Sequence, residues 1–430
     1  MTRLNAVKKA AIALLAPLVL LVVVVLCAPI GWAFPASGDT KVQYQFQIIH
    51  SFGGPGDGAS ADGLVMDGAG NLYGASENGP DGGGTVFELT PGENSQWTET
   101  ILHDFPVNDP SDGYNPIGRL AIDQAGNLYG ATVFGGAHGH GTVYELSPGG
   151  NGEWTESIIW NFCSLPNCAD AGSPLVAPTL GPGGSLYGTT VVIAYQLTPG
   201  SGGWTFNLLY TDTCNVYGCG LESSLTLHGG NLYGEENNGE CCGQVYVLQP
   251  QPNGQWDLTV VYDFPNGTRE SGSVPRGGLT FHDGGLYGDT AGGGSNCVKN
   301  GGCGTVFELT RGLKATTINE QVIWSFGGDA GAQGVNPGDS WVAFNKQGDL
   351  FGVTGLGGES GDGVVYGMKP QPNATWKYAV LHQFIGTDGV DPNAGLLIDS
   401  KDNLYGTTGG GGEYGYGVAF ELSPTTQASK

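Results

Sequence analysis

Three histidines carry the chemistry that would suit acid–base catalysis or metal binding. His50, His103 and His382 each stand two residues before a phenylalanine at the end of an apolar segment. In four further segments of the same pattern the equivalent residues are aromatic: Trp160, Tyr210, Tyr262 and Trp324. A position that accepts any flat ring is typical of packing, so we expect these histidines to pack rather than to catalyse.

Other polar residues recur in the same regular way. One set opens tight turns rich in Gly, Asn and Asp: Asp67, Asp123, Gly181, His228, His282, Asn345 and Asp399. A second set lies inside aromatic and leucine-rich segments: Glu88, Glu145, Glu308 and Glu421. Short polar side chains cap turns by accepting backbone N–H bonds, so we expect structural roles for both sets and predict no metal site and no catalytic residue.

Residues in loops that do not recur are better candidates for ligand contact. The tyrosines of this kind are Tyr114, Tyr217, Tyr414 and Tyr416, and the paired carboxylates are Asp109 with Asp112 and Glu235 with Glu236. Such pairs could bind cations or sugar hydroxyls. The glycine runs lack the lysine and the following helix of a phosphate loop, and no Gly-x-Ser-x-Gly nucleophile elbow occurs, so we predict no cofactor.

The regular positions belong to a unit that occurs seven times. Its marker is Leu-Tyr-Gly, with steps of 46 to 64 residues between copies, centred on Tyr73, Tyr129, Tyr187, Tyr233, Tyr287, Phe351 and Tyr405. Each unit reads as four short strands separated by turn residues, without helical periodicity. This period predicts an all-β, seven-bladed β-propeller of four-stranded antiparallel blades, forming one domain over residues 42–424.

The two ends of the repeat predict how the ring closes. The last copy lacks a fourth strand, whereas the segment from Tyr44 to Phe52 is a fourth strand with no preceding copy. We therefore predict that the N-terminal strand completes the last blade and removes the exposed edge. Short turns would then occupy one face, and long variable loops the other, which we take as the functional face.

Eight cysteines after Cys27 lie in those variable loops. They form local sets, namely Cys163 with Cys168, Cys214 with Cys219, Cys241 beside Cys242, and Cys297 with Cys303. We predict disulfides at these positions, with the pairing of Cys241 and Cys242 left open, because an oxidising compartment favours local bridges.

The N-terminus and the charge indicate where such a chain works. Residues 1–34 read as a signal peptide or as an uncleaved N-terminal membrane anchor, and 425–430 as a polar tail, which predicts a secreted, periplasmic or cell-surface protein. The formal charge of -25 opposes binding to nucleic acid and to anionic lipid. Membrane contact would come only through the uncleaved segment, and we expect a monomer.

The recurring pattern D-x-x-G-N-L-Y-G, G-T-V-F-E-L-T-P and W-x-x-x-x-L-x-x-F resembles the GloVer tandem-repeat family of exported bacterial proteins. The best matches run from Asp67 to Pro91, from Asp123 to Pro148 and from Asp399 to Pro424. The resemblance implies an exported location and a propeller, and it implies no activity.

These observations together predict a binding scaffold that presents a variable acidic loop face to a protein or glycan partner. Two alternatives remain open at this point. One is a propeller-type hydrolase or lyase, which needs at least three ligands for a metal converging near the central channel. The other is a purely structural cell-surface repeat protein.

Overall fold

A computed structural model describes residues 42–109, 111–212, 219–221, 223–238, 242–265, 271–295, 303–311, 318–327, 332–337 and 340–426. All of them belong to one compact unit, Gly31–Lys430. The predicted signal or anchor segment 1–34, Tyr217, Cys214, Cys241 and Cys297 lie outside the described residues.

The chain forms a seven-bladed propeller of antiparallel sheets, as the repeat predicts. In blades 1 to 6 the chain runs from the inner strand to the outer strand, and in blade 7 the N-terminal strand is the outer one. The strands of blades 1 to 3 are β2 Ala59–Ala61, β3 Val65–Met66, β4 Leu72–Asn78, β5 Gly82–Pro91 and β6 Trp97–Pro106; β7 Gly113–Ile122, β8 Leu128–Gly135, β9 Thr142–Pro148 and β10 Trp154–Asn161; β11 Thr179–Leu180, β12 Leu186–Thr189, β13 Ile193–Gly200 and β14 Gly203–Thr211.

The remaining strands repeat the arrangement. Those of blades 4 to 7 are β15 Cys219–Gly220, β16 Thr226–His228, β17 Asn231–Asn238, β18 Gln244–Pro250 and β19 Trp256–Asp263; β21 Thr280–His282, β22 Gly285–Thr290, β24 Thr305–Arg311 and β25 Ile318–Ser325; β26 Ala343–Phe344, β27 Leu350–Thr354, β28 Val364–Gln371 and β29 Thr375–Gln383; β30 Leu397–Ile398, β31 Leu404–Thr407, β32 Val418–Thr426 and β1 Val42–Ser51. A two-stranded ribbon, β20 Gly272–Ser273 with β23 Gly292–Gly293, adds to the loops of blade 5.

The described helices are three single 3-10 turns, Glu93–Ser95, Pro166–Cys168 and Pro182–Gly184. Among the described residues, no helix is long and apolar enough to cross a membrane.

The N-terminal strand closes the ring. β1 pairs with β32 so that Ile48 stands opposite Phe420, and the Phe52 N–H donates to the Gly417 carbonyl at 3.0 Å. Phe46 packs on Phe420 with ring centroids 5.7 Å apart. The seam therefore joins the first and last parts of the chain by the same pairing that builds every other blade.

The hydrophobic core lies between neighbouring blades. Tyr73 and Phe105 of blade 1, for example, share one buried cluster with Leu128 and Tyr144 of blade 2. The tryptophan that opens an outer strand packs edge-on against the Leu-Tyr-Gly tyrosine of the preceding blade, as Trp154 does on Tyr73 at 5.9 Å. These contacts explain why the repeat keeps a tryptophan at that place.

Four of the recurring residues that open turns cap them, as predicted, namely Asp67, Asp123, Asn345 and Asp399. Asp67 Oδ1 accepts the N–H groups of Ala69 and Asn71, each at 2.9 Å, and so caps its turn. The Tyr73 hydroxyl donates to Glu88 at 3.0 Å, which ties the second strand of the blade to the third. These side chains thus hold the turn and the neighbouring strands of the blade together.

The cysteines agree with the prediction only in part. Cys163 and Cys168 form a disulfide with Cα atoms 4.2 Å apart, and Cys303 is disulfide-bonded as well. Cys242 is a free buried cysteine, so the prediction that it is bridged is wrong. Its side chain packs against Val245 and Phe264 as a small apolar group.

Candidate functional site

Two large side chains project into the central channel. Arg119 precedes Leu120 on β7 of blade 2, and Trp341 lies just before β26 of blade 6. The Arg119 guanidinium carbon lies 5.1 Å from the centroid of the Trp341 ring, within cation–π range. The pair lines a cavity on either side of it, and so separates the channel into two parts.

Two glycines of neighbouring blades leave the space that the Trp341 side chain occupies. The indole lies so close to Gly395 of blade 7 that any Cβ at this position would overlap it, and a Cβ at Gly63 of blade 1 would come within 3.1 Å of the ring. Trp341 therefore extends from blade 6 across two neighbouring blades towards Arg119. The sequence pattern alone did not single out either residue, because neither recurs in the repeat.

The cavity on the loop face, which we call the axial cavity, has a volume of about 460 Å³. All seven blades contribute to it. Its polar lining is Asp62, Glu77, Asn115, Arg119, Ser224, Arg276 and Asn393, and its aromatic lining is Phe134 and Trp341. The Oδ1 atom of Asn393 is buried and has no hydrogen-bond partner within the described structure. The other cavity, of about 480 Å³, is lined mainly by aliphatic residues and threonines of the inner strands.

Arg119 is the unusual charge of the axial cavity. Its side chain is exposed to the channel, and desolvation by the surrounding protein lowers the pKa of the guanidinium. Within the described residues it makes no ion pair. A guanidinium held in this way, in a chain of net charge -25, is a ready partner for an anionic group that enters the channel.

The three predicted tyrosines that the structure describes do not form one cluster, and Tyr114 lies on strand β7 rather than in a loop, because the inner strand of blade 2 begins at Gly113. Tyr114 stacks on Phe134, a lining residue of the axial cavity, with ring centroids 5.5 Å apart. Tyr414 and Tyr416 are 46% and 54% exposed in the blade 7 loop, far more than the repeated tyrosines. Tyr416 packs against Gly53, whereas Tyr414 lines a separate cleft of about 430 Å³.

The predicted carboxylate pairs do not act as pairs. Asp109 Oδ1 accepts hydrogen bonds from the Ser111 hydroxyl and, at 3.0 Å, from the Ser111 N–H, and these bonds lower the pKa of Asp109. Asp112 instead faces His103, with its Oδ2 3.2 Å from Nε2. The two carboxylates therefore serve different neighbours.

The second predicted pair, Glu235 with Glu236, does not lie in a loop as predicted. Glu235 and Glu236 lie on strand β17, not in a loop, because the Leu-Tyr-Gly strand continues through them to pair with Val245 and Gln244. Both are buried. Neither carboxylate oxygen of Glu235 has a hydrogen-bond partner, and burial raises its pKa to about 8, whereas Glu236 accepts a hydrogen bond from Gln244.

Carboxylates also gather around two of the histidines at the outer seams between blades. His50 Nε2 lies 2.9 Å from Asp57 Oδ2 and 3.6 Å from Glu99 Oε2, where the closing strand meets blade 1. This group opens into the same cleft as Tyr414. Burial, together with the Asp57 carboxylate, raises the pKa of Glu99 to about 9.

The second group lies at the next seam. His103, Asp112 and Glu156 bring their ligand atoms within 4.8 Å of one another. Burial would lower the pKa of His103, but the Asp112 and Glu156 carboxylates raise it, and burial and Asp112 raise the pKa of Glu156 to about 7. The prediction that these histidines only pack is therefore incomplete. The sequence signal that it missed is a glutamate two residues after the tryptophan that opens the outer strand of the next blade, since this glutamate faces the histidine.

Three-ligand groups of the kind that the enzymatic alternative requires are thus seen at the rim. Among the described residues, no group of three His, Cys, Asp or Glu side chains with ligand atoms this close together lies near the axis, where the carboxylates are Asp62 and Glu77.

Comparison with known proteins identifies the family to which the repeat belongs. The family described as the Gloeobacter/Verrucomicrobia repeat matches residues 37–194 and 298–430. No curated protein sequence matches the chain. Similar solved structures include a gluconolactonase from Xanthomonas campestris, with 12% identity, a TM-score of 0.42 and coverage of 93% of this chain and 99% of that one.

Two further structures show the same distant likeness. One is a putative 6-phosphogluconolactonase from Bacteroides fragilis, with 13% identity, a TM-score of 0.49 and coverage of 78% and 86% of the two chains. The other is a functionally unknown protein from Desulfotomaculum acetoxidans, with 13% identity, a TM-score of 0.42 and coverage of 76% and 90%. Likeness at this level does not bear on activity.

Proposed function

The chain belongs to the Gloeobacter/Verrucomicrobia repeat family, and from that premise we propose that it is an exported binding propeller whose axial cavity captures an acidic glycan. The ligand class is a saccharide that carries a carboxylate, such as a uronic acid residue. Family membership and the Cys163–Cys168 disulfide support an exported location, where such polymers occur.

The observation that carries this proposal is the Arg119 guanidinium. It is held on the face of Trp341 at 5.1 Å, it opens into the axial cavity, and it has no ion pair within the described structure. Guanidinium binds carboxylate through two parallel hydrogen bonds, which are stronger than hydrogen bonds between neutral groups. The carboxylate of the ligand would supply that partner.

The rest of the lining suits sugar hydroxyls. Asn115, Ser224 and Asn393 offer neutral donors and acceptors, and Asp62 and Glu77 offer acceptors. Phe134, which is 42% exposed, offers an aromatic surface at the rim. A cavity of about 460 Å³ falls within the usual range of small-molecule sites, so it would take the end of a glycan rather than the surface of a folded protein.

The charge distribution argues against other polyanions. The net charge of -25 would repel a nucleic acid or an anionic membrane over a wide surface, since those partners need many cations. A single carboxylate deep in the channel needs only a local one. Arg276 on the same lining adds a second cation within the cavity.

The test is calorimetric titration with a galacturonic acid trimer and with the neutral galactose trimer. We expect the acidic sugar to bind and the neutral one to bind at least tenfold more weakly. Arg119→Gln should reduce affinity for the acidic trimer about 10- to 100-fold, as expected when a charge-assisted hydrogen bond is lost.

Arg311→Gln is the matched control, because Arg311 is an exposed cation at the end of β24, outside the axial cavity. It should leave affinity unchanged. Equal affinity of the Arg119→Gln and Arg311→Gln variants would overturn the assignment of the ligand to the axis. Absence of binding to any acidic glycan would favour the purely structural alternative.

A further inference from the structure

Where the outer strands of neighbouring blades meet, one pair of facing residues differs in type from seam to seam. The ring residue near the end of an outer strand faces a residue of the next outer strand, namely the third residue counted from the tryptophan of that strand or from the residue in its place. At three seams the two residues are stacked rings, Trp160 with Phe206, Trp324 with Tyr378 and His382 with Phe46, at centroid distances of 5.2, 4.2 and 3.7 Å. The position therefore serves packing where both partners are flat.

Two neighbouring seams replace the stack with an imidazole and two carboxylates. These groups, which we call the seam triads, are His50, Asp57 and Glu99 between blades 7 and 1, and His103, Asp112 and Glu156 between blades 1 and 2. A carboxylate at the third position is not enough by itself, since Glu320 accepts a hydrogen bond from the Tyr262 hydroxyl at 2.7 Å. Only the triads combine a nitrogen ligand with two oxygen ligands in the described residues at these seams.

The triads also leave ligand capacity unused. The Oε1 atoms of Glu99 and Glu156 are inaccessible to solvent and have no hydrogen-bond partner. The side chains of Asp57 and Glu99 are only 7% and 14% exposed. Two enclosed carboxyl groups beside one imidazole are stable only when a shared proton or a bound cation lies between them.

The aspartates are held in place by the backbone. The N–H of Gly58 donates to Asp57 Oδ1 at 2.6 Å, and the N–H of Gly113 donates to Asp112 Oδ1 at 2.7 Å. In both triads the other oxygen, Oδ2, is directed at the histidine. Such outer hydrogen bonds orient a ligand before an ion arrives.

We propose that each seam triad binds a divalent transition-metal ion, with Zn²⁺ as the first candidate. Zinc takes imidazole nitrogen and carboxylate oxygen, commonly with three protein ligands and an open fourth position. Atoms that bind one ion at about 2.1 Å lie at most about 4.2 Å apart, close to the observed spread of 4.8 Å or less. The ion would link neighbouring blades beside the ring closure.

The first triad has a further feature. It opens into the cleft of about 430 Å³ that Glu413 and Tyr414 also line. A ligand could therefore reach the open coordination position of an ion bound there. This site is distinct from the axial cavity, and its test does not depend on Arg119.

The experiment measures zinc bound to the purified full chain by elemental analysis after equilibration with Zn²⁺ and removal of excess ion. We expect Glu99→Gln and Glu156→Gln each to bind one equivalent less than wild type, and the double variant two less. Glu320→Gln is the matched control, because it makes the same change at the same repeat position beside a tyrosine; it should bind as much zinc as wild type.

A second variant separates binding from folding. His103→Trp with Glu156→Phe copies the pair that the chain itself uses at Trp160 and Phe206, so the seam should still pack. This double variant should bind one equivalent of zinc less than wild type. After loading with Co²⁺ instead, its visible absorption should be weaker than that of Co²⁺-loaded wild type by the share of one site. Equal zinc content in wild type and in the Glu99→Gln, Glu156→Gln double variant would overturn the proposal and assign the triads to proton sharing alone.

Discussion

Gly395 is the residue on which the position of Trp341 depends. Its missing Cβ leaves the space that the indole fills, so Gly395→Ala must displace the ring or the backbone. We expect a loss of about 1–3 kcal/mol in the free energy of unfolding, typical of overpacking. Urea denaturation followed by far-UV circular dichroism measures this loss.

Gly278 provides the control for this prediction. It precedes the inner strand of blade 5 as Gly395 does in blade 7, but an added Cβ would meet Trp341 only at 3.6 Å, an ordinary contact. Gly278→Ala should therefore change stability by less than about 0.5 kcal/mol. Equal effects of the two substitutions would show that Trp341 does not rest on Gly395.

Glu235 makes stability depend on pH. Burial raises its folded-state pKa from 4.5 to about 8, so the folded protein holds a proton that the unfolded chain has released. This contribution to stability is full below the unfolded value and is lost as the pH rises towards the folded value. Glu235→Gln should remove this loss of stability with rising pH. Between the unfolded and the folded pKa, the free energy of unfolding of the variant should therefore rise relative to that of wild type by on the order of 1 kcal/mol per pH unit.

Chemical denaturation of both proteins at several pH values between 4.5 and about 8 tests this prediction. The exposed Glu359 serves as control, since Glu359→Gln should follow the wild-type curve. A difference between Glu235→Gln and wild type that stays constant with pH would contradict an uncharged, buried Glu235.

Strand β1 is the element that completes the ring. It supplies Phe46 to the packing of blade 7 and Ile49 and Phe52 to the core beside blade 1. A variant that starts after Ser51 should expose the edge of β32, lose stability and associate with itself, because a bare edge pairs with other chains. Size-exclusion chromatography measures the association.

Complementation gives this prediction a sharper form. A synthetic peptide of residues 42–52 should bind the truncated protein by strand addition and restore a monomer. The same peptide with Ile49→Asp should fail, because Ile49 is buried in the complete ring. Restoration by both peptides, or by neither, would mean that strand pairing with this register is not what closes the protein.

The features that could be predicted from the sequence are those that occur in many copies of the repeat. Seven turn and strand patterns gave the blade, and the unmatched segment from Tyr44 to Phe52 gave the closure. The wedge of Trp154 on Tyr73 and the cap of Asp67 follow the same logic, since each is a local interaction that occurs in several copies.

Features that occur once or twice were not predicted, because they depend on side chains from different blades. Arg119 and Trp341 are 222 residues apart in sequence (341 minus 119) and meet only when the ring has closed. His50 and Glu99 likewise meet across a seam, and aligning the histidines with aromatic residues hid their carboxylate neighbours. Glu235 reads as a loop residue until its strand pairing is known.

At the scale of the whole molecule, charge and shape act at different distances. We propose that the net charge of -25 keeps extended polyanions away, while the Arg119 guanidinium lies in the channel where a single carboxylate can reach it. The protein would thereby select the acidic end of a glycan over a phosphate backbone.

The most direct measurement is a crystal structure of the protein with the galacturonic acid trimer bound. The proposed function predicts the sugar in the axial cavity, with a carboxylate within about 3 Å of the Arg119 guanidinium nitrogens. A trimer bound only on the outer loops or at a seam, with Arg119 still facing Trp341 and no anion beside it, would contradict it.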